Sequence, residues 1–395
     1  MNNTTKTILG VIVVVVLVWA GYAMYQKPKS ENKTNQTSQT KQTSQSGPYK
    51  IGVLLPLTGD AASYGEPGQK VYQMAVDEIN SSGGANGQNL QLVVEDSKCT
   101  GKDSANAMQK LVNVDKVQVV IGGFCSSESL AAVPIAETSK VAMLSAASSS
   151  PDLTGKSTYF ARNYPSDSSQ GAVLAEVAYN KESITKVAFI QEQTDYPLGI
   201  YKAFNQKFTA LGGTVTKQEF PSSTTDFRTV ITKAKAENPD ALFVDTQAPA
   251  GAQRILKQLA EAKWKTRLII NDTTAGDPKT IQDNKALLEK ALTAEFGVDS
   301  SNAKFQLLLK NYKQKFGADL PFQSYGQTEY DAPFIVRDAI VAVGYDGTKI
   351  ANWLHGSVNN WQGASGNVTI GSDGDLVGGH KAEIIMGGKV MPYTK

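Results

Sequence analysis

Hydroxyl side chains follow two neighbouring strands of the expected sheet, at the point where each strand ends. Residues 117–121 form a β-rich apolar run, a glycine pair at 122–123 ends it, and Ser126 begins a pattern typical of a helix. The next strand ends in a run of hydroxyls that contains Ser148 and Ser149. The carboxyl ends of parallel strands share one edge of a sheet, where backbone N–H groups and helix N-termini attract anions. The two turns together predict a carboxylate site, although either one alone is also explained as a helix cap or a polar loop.

An acid and two tyrosines lie at the corresponding edge of a second α/β region. Asp272 follows the apolar run 268–270, and a carboxylate there, facing the hydroxyls across a cleft, could hold an ammonium group. Asp is also an ordinary turn residue, so its position alone is compatible with both interpretations. Tyr64 and Tyr196 follow the first strands of the two regions, in matching positions. Their rings are expected either to wall a pocket or to lie on the surface.

The sequence lacks the motifs that are typical of catalysis or metal binding. There is no Gly-x-Ser-x-Gly elbow, and residues 154–157 resemble the end of a P-loop without its first glycine. The two histidines, His355 and His380, lie in glycine-rich segments away from the serine turns, and no Cys/His spacing fits a metal. The acids of residues 373–375 lack the other calcium-loop ligands and are typical of a turn. We therefore expect no enzyme activity, no cofactor and no metal.

The body of the chain divides into two matching α/β regions. A chain of 395 residues is too long for one ordinary core, and 41% hydrophobic with 19% charged residues is typical of a globular body. Strand and helix patterns alternate over residues 49–144 and again over residues 186–270. The pattern predicts two doubly wound, Rossmann-like lobes with a cleft between them. Lobe 1 is expected at 49–167 and 297–370, and lobe 2 at 168–296 and 371–395.

Charge and the N-terminal segment restrict the partners. A net charge of +2, without a basic patch interleaved with aromatics, argues against nucleic-acid binding. Residues 8–25 are uncharged and nearly long enough to span a bilayer, so residues 1–26 are expected to form a signal anchor or transmembrane helix. A cleaved signal peptide, which would give a secreted body, is the alternative. Residues 27–48 have no apolar residue except proline and are expected to be a disordered tether.

The two cysteines of the sequence predict a disulfide bond. Cys99 and Cys125 each come just past the end of a strand, and neighbouring strands are about 5 Å apart, which suits the roughly 4.4–6.8 Å between bridged Cα atoms. The bridge would fix the loop that holds Ser126. Two unpaired buried thiols are the alternative, but an exported chain favours the bridge. The body is accordingly expected outside the cytoplasm, extracellular or periplasmic.

At this point the sequence resembles a known family, the leucine/isoleucine/valine-binding proteins. These form the amino-acid-receptor branch of the type I periplasmic binding proteins, which feed ABC importers. The resemblance covers residues 49–392 and is carried by these segments: IGVLLPLTGDAASYG, INSSGG, EDSKCT, IGGFCSSES, SAASSSPDL, RNYPSDSSQG and TEYDA. It implies a type I periplasmic binding protein fold. It also implies capture of a branched-chain or related amino acid by hinge closure, and delivery to the permease and ATPase of an ABC transporter.

The resemblance assigns roles to individual residues. It implies that Ser126 and Ser149 bind the carboxylate of the ligand, whereas Ala147 and Asp272 hold its ammonium. The expected ligand-binding residues are Tyr64, Phe124, Ser126, Ala147, Ser148, Ser149, Tyr196, Asp272 and Tyr325. Relatives that bind leucine have Glu at the position of Asp272 and Gly at that of Thr273, and an aromatic expected near residues 247–248 is missing. A polar or larger amino acid, or an amide-like or urea-like solute, is therefore an open alternative.

A sensory receptor domain is the alternative function from another class, because it would use the same cleft to signal through a partner. An enzyme is a distant third interpretation, since the chain lacks the motifs described above. Genes for a permease and an ATPase beside this one would favour transport, and a kinase or chemotaxis partner would favour sensing.

Overall fold

The computed structural model describes residues 47–394 of the chain. The predicted anchor, residues 1–26, and residues 27–46 of the predicted tether lie outside the described residues. Within 47–394, no helix combines the length and the apolar character that crossing a bilayer requires.

The strands of the described residues form two large sheets and one small one. The strands are β1 (Tyr49–Leu55), β2 (Leu90–Asp96), β3 (Val119–Ile121), β4 (Ala142–Ser145), β5 (Phe160–Arg162), β6 (Lys186–Glu192), β7 (Thr214–Phe220), β8 (Ala241–Asp245), β9 (Arg267–Ile270), β10 (Leu292–Glu295), β11 (Trp361–Gly363), β12 (Gly366–Val368), β13 (Lys381–Met386) and β14 (Lys389–Pro392). The first sheet has the order β2-β1-β3-β4-β5 and is parallel throughout. The second has the order β14-β13-β10-β9-β8-β6-β7, in which β13 is antiparallel to both of its neighbours, β10 and β14, and the remaining pairs are parallel.

Helices cover both faces of each large sheet. The α-helices are α1 (Ala62–Ser81), α2 (Gly101–Asn113), α3 (Ser126–Ser139), α4 (Asp167–Glu176), α5 (Asp195–Ala210), α6 (Arg228–Ala236), α7 (Pro249–Glu261), α8 (Asp272–Ala275), α9 (Pro278–Asp283), α10 (Ala303–Phe316), α11 (Gln323–Val343) and α12 (Gly347–Ser357). Successive strand side chains point to opposite faces, so a sheet with helices on both sides buries nearly every position. In the second sheet Phe189, Phe243 and Ile269 lie in one core, and Ile190, Val244 and Ile270 lie in the other.

The strand order of each large sheet shows where its ligand-binding crevice is expected. In the first sheet the order reverses between β1 and β3, and in the second between β6 and β8. Ligands of open α/β sheets bind outside the carboxyl ends of the strands at such switch points. The loops after β1, β3, β6 and β8 are therefore the segments in which binding residues are expected.

The chain returns to the second sheet later than the sequence pattern places it. Residues 371–376, expected in lobe 2, pack against β5 of the first sheet. The backbone N–H of Arg162 donates to the carbonyl of Gly374 at 2.8 Å, and the Arg162 side chain pairs with Asp375. We use lobe 1 for the part built around the first sheet and lobe 2 for the part around the second. The last passage to lobe 2 then follows residue 376 and ends at β13.

Candidate ligand-binding site

The turn between β3 and α3 leaves the hydroxyl of Ser126 available for binding. Gly122 has a φ of +129°, and a Cβ there would lie 2.6 Å from a carbonyl oxygen of β1, so the turn requires glycine. Helix α3 is capped at Cys125, which frees Ser126 from a capping role. The Oγ of Ser126 accepts hydrogen bonds from the backbone N–H groups of Ser149 (3.3 Å) and Ser150 (3.0 Å). Because a hydroxyl that accepts two bonds keeps its proton to donate, Ser126 can donate to an anion.

Glu128, which the sequence interpretation missed, holds the two cysteine loops together. One carboxylate oxygen accepts from the backbone N–H groups of Phe124 (2.8 Å) and Cys125 (3.0 Å), and the other accepts from the N–H of Cys99 (2.7 Å) and the hydroxyl of Ser97 (2.6 Å). Burial raises the pKa of Glu128 to about 7, against the opposing effect of these donors. Its signal in the sequence is a Glu at the third position of a helix, as in a capping box. Among residues 47–394 this carboxyl and the sulfur atoms of the two cysteines lie close enough together for a metal ion, but each carboxylate oxygen already accepts two bonds.

The geometry of Cys99 and Cys125 fits a disulfide bond, although the reason given by the sequence pattern is wrong. Their Cα atoms are 5.3 Å apart, which is within the usual range. However, β1 lies between β2 and β3, so the cysteines do not follow adjacent strands. The loop after β2 folds back over the end of β1 instead, with Cys99 at a φ of +57° and the N–H of Ser97 bonded to the carbonyl of Leu55.

The disulfide bond stays a prediction, and it has a measurable consequence. Replacing both cysteines, Cys99→Ser with Cys125→Ser, is expected to lower the free energy of unfolding by about 3 kcal/mol, because the bridge restricts the unfolded chain. Urea unfolding of the oxidised and the dithiothreitol-reduced protein measures the difference, and the double variant, which reductant should not affect, is the control. Identical unfolding of the oxidised and reduced protein would instead indicate free thiols.

The two serines after β4 point in different directions. The hydroxyl of Ser148 donates to the carbonyl of Gly123 at 2.8 Å, so it supports the glycine turn and is directed away from the cleft. The hydroxyl of Ser149 donates to a carboxylate oxygen of Asp167 at 2.8 Å. Burial raises the pKa of Asp167 well above its usual range, and the charge of Asp272 raises it further. Of this predicted pair, Ser149 therefore lies at the cleft and Ser148 shapes the turn.

Arg162, also missed from the sequence, fixes the serine turn from behind. The side chain is 0% exposed, and its guanidinium donates to the carbonyls of Ser148 (3.2 Å) and Ser150 (3.0 Å). It also donates to both carboxylate oxygens of Asp375, each at 2.8 Å, and to the hydroxyl of Thr154 at 3.0 Å. The turn at residues 373–375 therefore has a structural function: it supplies the counter-charge that holds Arg162 under the serines.

Asp272 lies opposite the serine turns and is surrounded by tyrosine hydroxyls. It is the first residue of the short helix α8, which Asn271 caps, and only 2% of its surface is exposed. One carboxylate oxygen accepts from Tyr164 (2.8 Å) and Tyr325 (2.7 Å), both of lobe 1, and the other accepts from Tyr196 of lobe 2. A carboxylate offers about four acceptor positions, so it can take a further donor. The three phenols are neutral and leave its negative charge uncompensated, which suits a cationic ligand group.

Most of the predicted binding residues meet around one small cavity between the lobes. Its lining comprises Phe124, Cys125, Ser126, Ala147, Ser149, Tyr196, Gln247, Thr273 and Tyr325. Of the other predicted residues, Asp272 is hydrogen-bonded to two of the lining tyrosines, Ser148 faces away, and Tyr64 lies behind the wall. The volume of about 10 Å³ holds roughly one water molecule, so an amino acid enters only when the lobes separate or side chains move.

Aromatic rings form the lobe 1 wall of this cavity. Tyr64 stacks on Phe124 with ring centroids 4.7 Å apart, and Phe124 lies 5.1 Å from Tyr325. Tyr325 in turn stacks on Tyr164 at 4.9 Å. Such contacts keep the rings in fixed orientations, so the tyrosine hydroxyls stay directed at Asp272. Tyr164 lies in the RNYP segment of the resemblance, yet nothing in the sequence indicated that its hydroxyl reaches Asp272.

Two lobes that meet at the switch points of their sheets, with the candidate site between them, define a type I periplasmic binding protein fold. The sequence matches the family described as Periplasmic binding protein over residues 48–381, so the chain belongs to that family. The predicted mixed α/β fold and the predicted relation to leucine/isoleucine/valine-binding proteins are thereby confirmed.

Individual relatives agree with this assignment. A Leu/Ile/Val-binding protein of Escherichia coli is 29% identical over 222 residues, which cover 56% of this chain and 60% of that protein. A leucine binding protein from Thermotoga maritima has 29% identity and a TM-score of 0.80 over 88% of this chain and 98% of its own. A solute binding protein of an ABC transporter from R. palustris, in complex with benzoate, shares the fold at 18% identity, with a TM-score of 0.78 over 88% of this chain and 95% of its own.

Proposed function

We propose that this chain is an extracytoplasmic solute-binding protein that captures an amino acid by closure of its two lobes and delivers it to an ABC transporter. The observation that carries the proposal is the buried carboxylate of Asp272, which faces the serine turns and is bonded by tyrosines of both lobes. An anion-binding turn opposite a carboxylate matches the two charged ends of a zwitterion.

In this proposal the carboxylate of the ligand docks on lobe 1. The hydroxyl of Ser126 donates to it, and the N-terminus of α3 adds a favourable dipole. The ammonium of the ligand then takes the open acceptor position of Asp272 and the carbonyl of Ala147. Because the two charged ends contact different lobes, the ligand binds the closed form more tightly than the open form, and this difference shifts the balance toward closure.

Asp272 also favours an amino acid over an aromatic acid. The R. palustris relative binds benzoate, which has a carboxylate and no cation. In this chain such a ligand would leave the Asp272 carboxylate facing an apolar ring, and burying a charge without a partner is costly. An α-amino acid provides the partner.

Location and partners follow from the same proposal. The uncharged run at residues 8–25 supports attachment of the body to a membrane by residues 1–26. Two cysteines placed for a disulfide support an oxidising compartment outside the cytoplasm. The closed form would be presented to the permease of an ABC importer, which works together with ATPase subunits.

Replacing Ser126 with Ala tests the carboxylate half of the site. A thermal-shift screen of the common amino acids and benzoate first identifies the ligand, and titration calorimetry then measures its affinity. Loss of one hydrogen bond to a charged group is expected to weaken binding by about tenfold or more. Ser127→Ala, one residue further along α3, is the matched control. Equal affinities for the two variants, or a response to benzoate and to none of the amino acids, would contradict the proposal.

A further inference from the structure

Gln247 separates the inner cavity from a second, larger cavity. Gln247 lines both, and so does the cysteine pair, with Cys125 on the inner side and Cys99 on the outer. The outer cavity has a volume of about 290 Å³. Glu192 is the last residue of β6 and Gln247 follows β8, so this passage lies at the switch point of the second sheet. A ligand side chain that passes Gln247 therefore enters the outer cavity.

The passage carries a buried donor and a buried acceptor side by side. The hydroxyl of Thr194 donates to Oε1 of Gln247 at 3.0 Å, and the backbone N–H of Gln247 donates to a carboxylate oxygen of Glu192 at 2.9 Å. Since Oε1 is held by Thr194, the Nε2 group of Gln247 is the donor end of its side chain. Glu192 and Gln247 are only 7% and 8% exposed, so neither is well hydrated when the lobes are closed.

Charge in the outer cavity is balanced. Its lining includes Asp60, Lys98, Glu192 and Arg254, which carry two negative and two positive charges. Asp60 of lobe 1 and Arg254 of lobe 2 form an ion pair at 2.8 Å. The lining therefore has no excess of either sign that would select a charged ligand group over a neutral polar one.

An aliphatic side chain fits this passage poorly. It would cover Nε2 of Gln247 and the remaining acceptor positions of the Glu192 carboxylate without offering either a hydrogen-bond partner. Buried polar groups left without partners are costly, and sites built to hydrogen-bond a ligand reject analogues that lack the partner. Thr273, which lines the inner cavity, adds another polar group to the wall.

We infer that the ligand is an α-amino acid whose side chain ends in a neutral group that both donates and accepts hydrogen bonds, a carboxamide or a urea, and that Gln247 and Glu192 select it. The ligand N–H donates to the carboxylate of Glu192, and the ligand carbonyl accepts from Nε2 of Gln247. This inference rests on the proposed function, because the inner cavity must hold the α-amino and α-carboxylate groups.

Calorimetry on the full chain with free amino acids tests the inference. We expect L-glutamine or L-citrulline to bind at least about tenfold tighter than L-leucine, L-glutamate and L-arginine. Gln247→Leu, which has a similar volume, is expected to shift the preference toward leucine by about tenfold. Glu192→Gln is expected to weaken binding of the amide-ended amino acid and to leave the affinity for leucine unchanged. Gln314→Leu on α10 and Glu261→Gln at the end of α7 replace exposed residues and serve as controls. They should change neither the affinity for the amide-ended amino acid nor that for leucine.

The outcomes separate this inference from the function on which it depends. Tighter binding of leucine or arginine by the wild-type chain overturns the inference and leaves the proposed function intact. An unchanged preference in both Gln247→Leu and Glu192→Gln overturns it as well, and Glu192→Gln remains decisive if the leucine variant does not fold. Binding of benzoate with no response to any amino acid overturns both proposals.

Discussion

Replacing Asp272 with Asn is expected to weaken amino-acid binding by about 10³-fold, because truncating one partner of a buried, hydrogen-bonded charge pair removes several kcal/mol. Asparagine keeps the shape of the side chain and one acceptor oxygen for the tyrosines. It removes the negative charge that would pair with the ammonium of the ligand. Titration calorimetry with the ligand found in the thermal-shift screen measures the loss.

The same substitution is expected to leave the protein as stable as before or to stabilise it. Burial raises the pKa of the neighbouring carboxyls Asp167 and Asp245, and the charge of Asp272 raises both further, in Asp245 with a smaller effect than the charge of Asp167. Removing that charge lowers the electrostatic cost of ionising Asp167 and Asp245 in the folded state, which favours folding. Under the proposed function, the charge of Asp272 would thus serve binding at the expense of stability, as charges in functional sites often do.

A matched control distinguishes the loss of the Asp272 charge from the loss of any other negative charge on lobe 2. Asp283→Asn on α9 removes an exposed carboxylate that pairs with Lys279, and it should change neither affinity nor stability by a measurable amount. If Asp272→Asn binds the amino acid as tightly as Asp283→Asn does, the ammonium site lies elsewhere. If it unfolds while the control does not, Asp272 is chiefly a structural acceptor for its three tyrosines.

The sequence pattern predicted the parts of the site that depend on local structure. Ser126 and Asp272 each follow a buried strand, and parallel strands bring their carboxyl ends to one edge whatever their order. The order of the strands within a sheet cannot be read from the alternation of strand and helix patterns along the chain. For this reason the pattern placed β2 beside β3, although β1 lies between them.

The residues that support the site depend on contacts that no local pattern records. Arg162 is an ordinary charged residue at the end of a short strand until Asp375, 213 residues later, supplies its partner. Tyr164 is an ordinary tyrosine until lobe 2 brings Asp272 to its hydroxyl, across 108 residues. Glu128 had a local signal, its position in the helix, but its bond to the Cys99 loop is again a contact between distant segments.

Replacing Arg162 with Met is expected to lower the free energy of unfolding by roughly 3–5 kcal/mol, because it breaks a buried ion pair by removing one partner. The side chain of Asp375 is only 15% exposed and would be left without its counter-charge. The carbonyls of Ser148 and Ser150 lose their donors at the same time. We therefore expect the serine turn to loosen, and amino-acid affinity to fall even under conditions in which the variant is folded. Urea unfolding and calorimetry at low temperature measure the two effects.

Three further variants show whether Arg162 positions the turn or merely stabilises lobe 1. Arg162→Lys keeps the charge without the planar fork and is expected to restore stability more than affinity. Combining Arg162→Met with Asp375→Asn removes the unpaired charge. The double variant should therefore lose less stability than Arg162→Met alone, while its amino-acid affinity stays low. Arg228→Met, which breaks the exposed pair with Asp226, should cost no more than about 1 kcal/mol. If folded Arg162→Met binds the amino acid as tightly as the wild type, the serine turn keeps its shape without the guanidinium. Arg162 would then stabilise lobe 1 without positioning the binding turn.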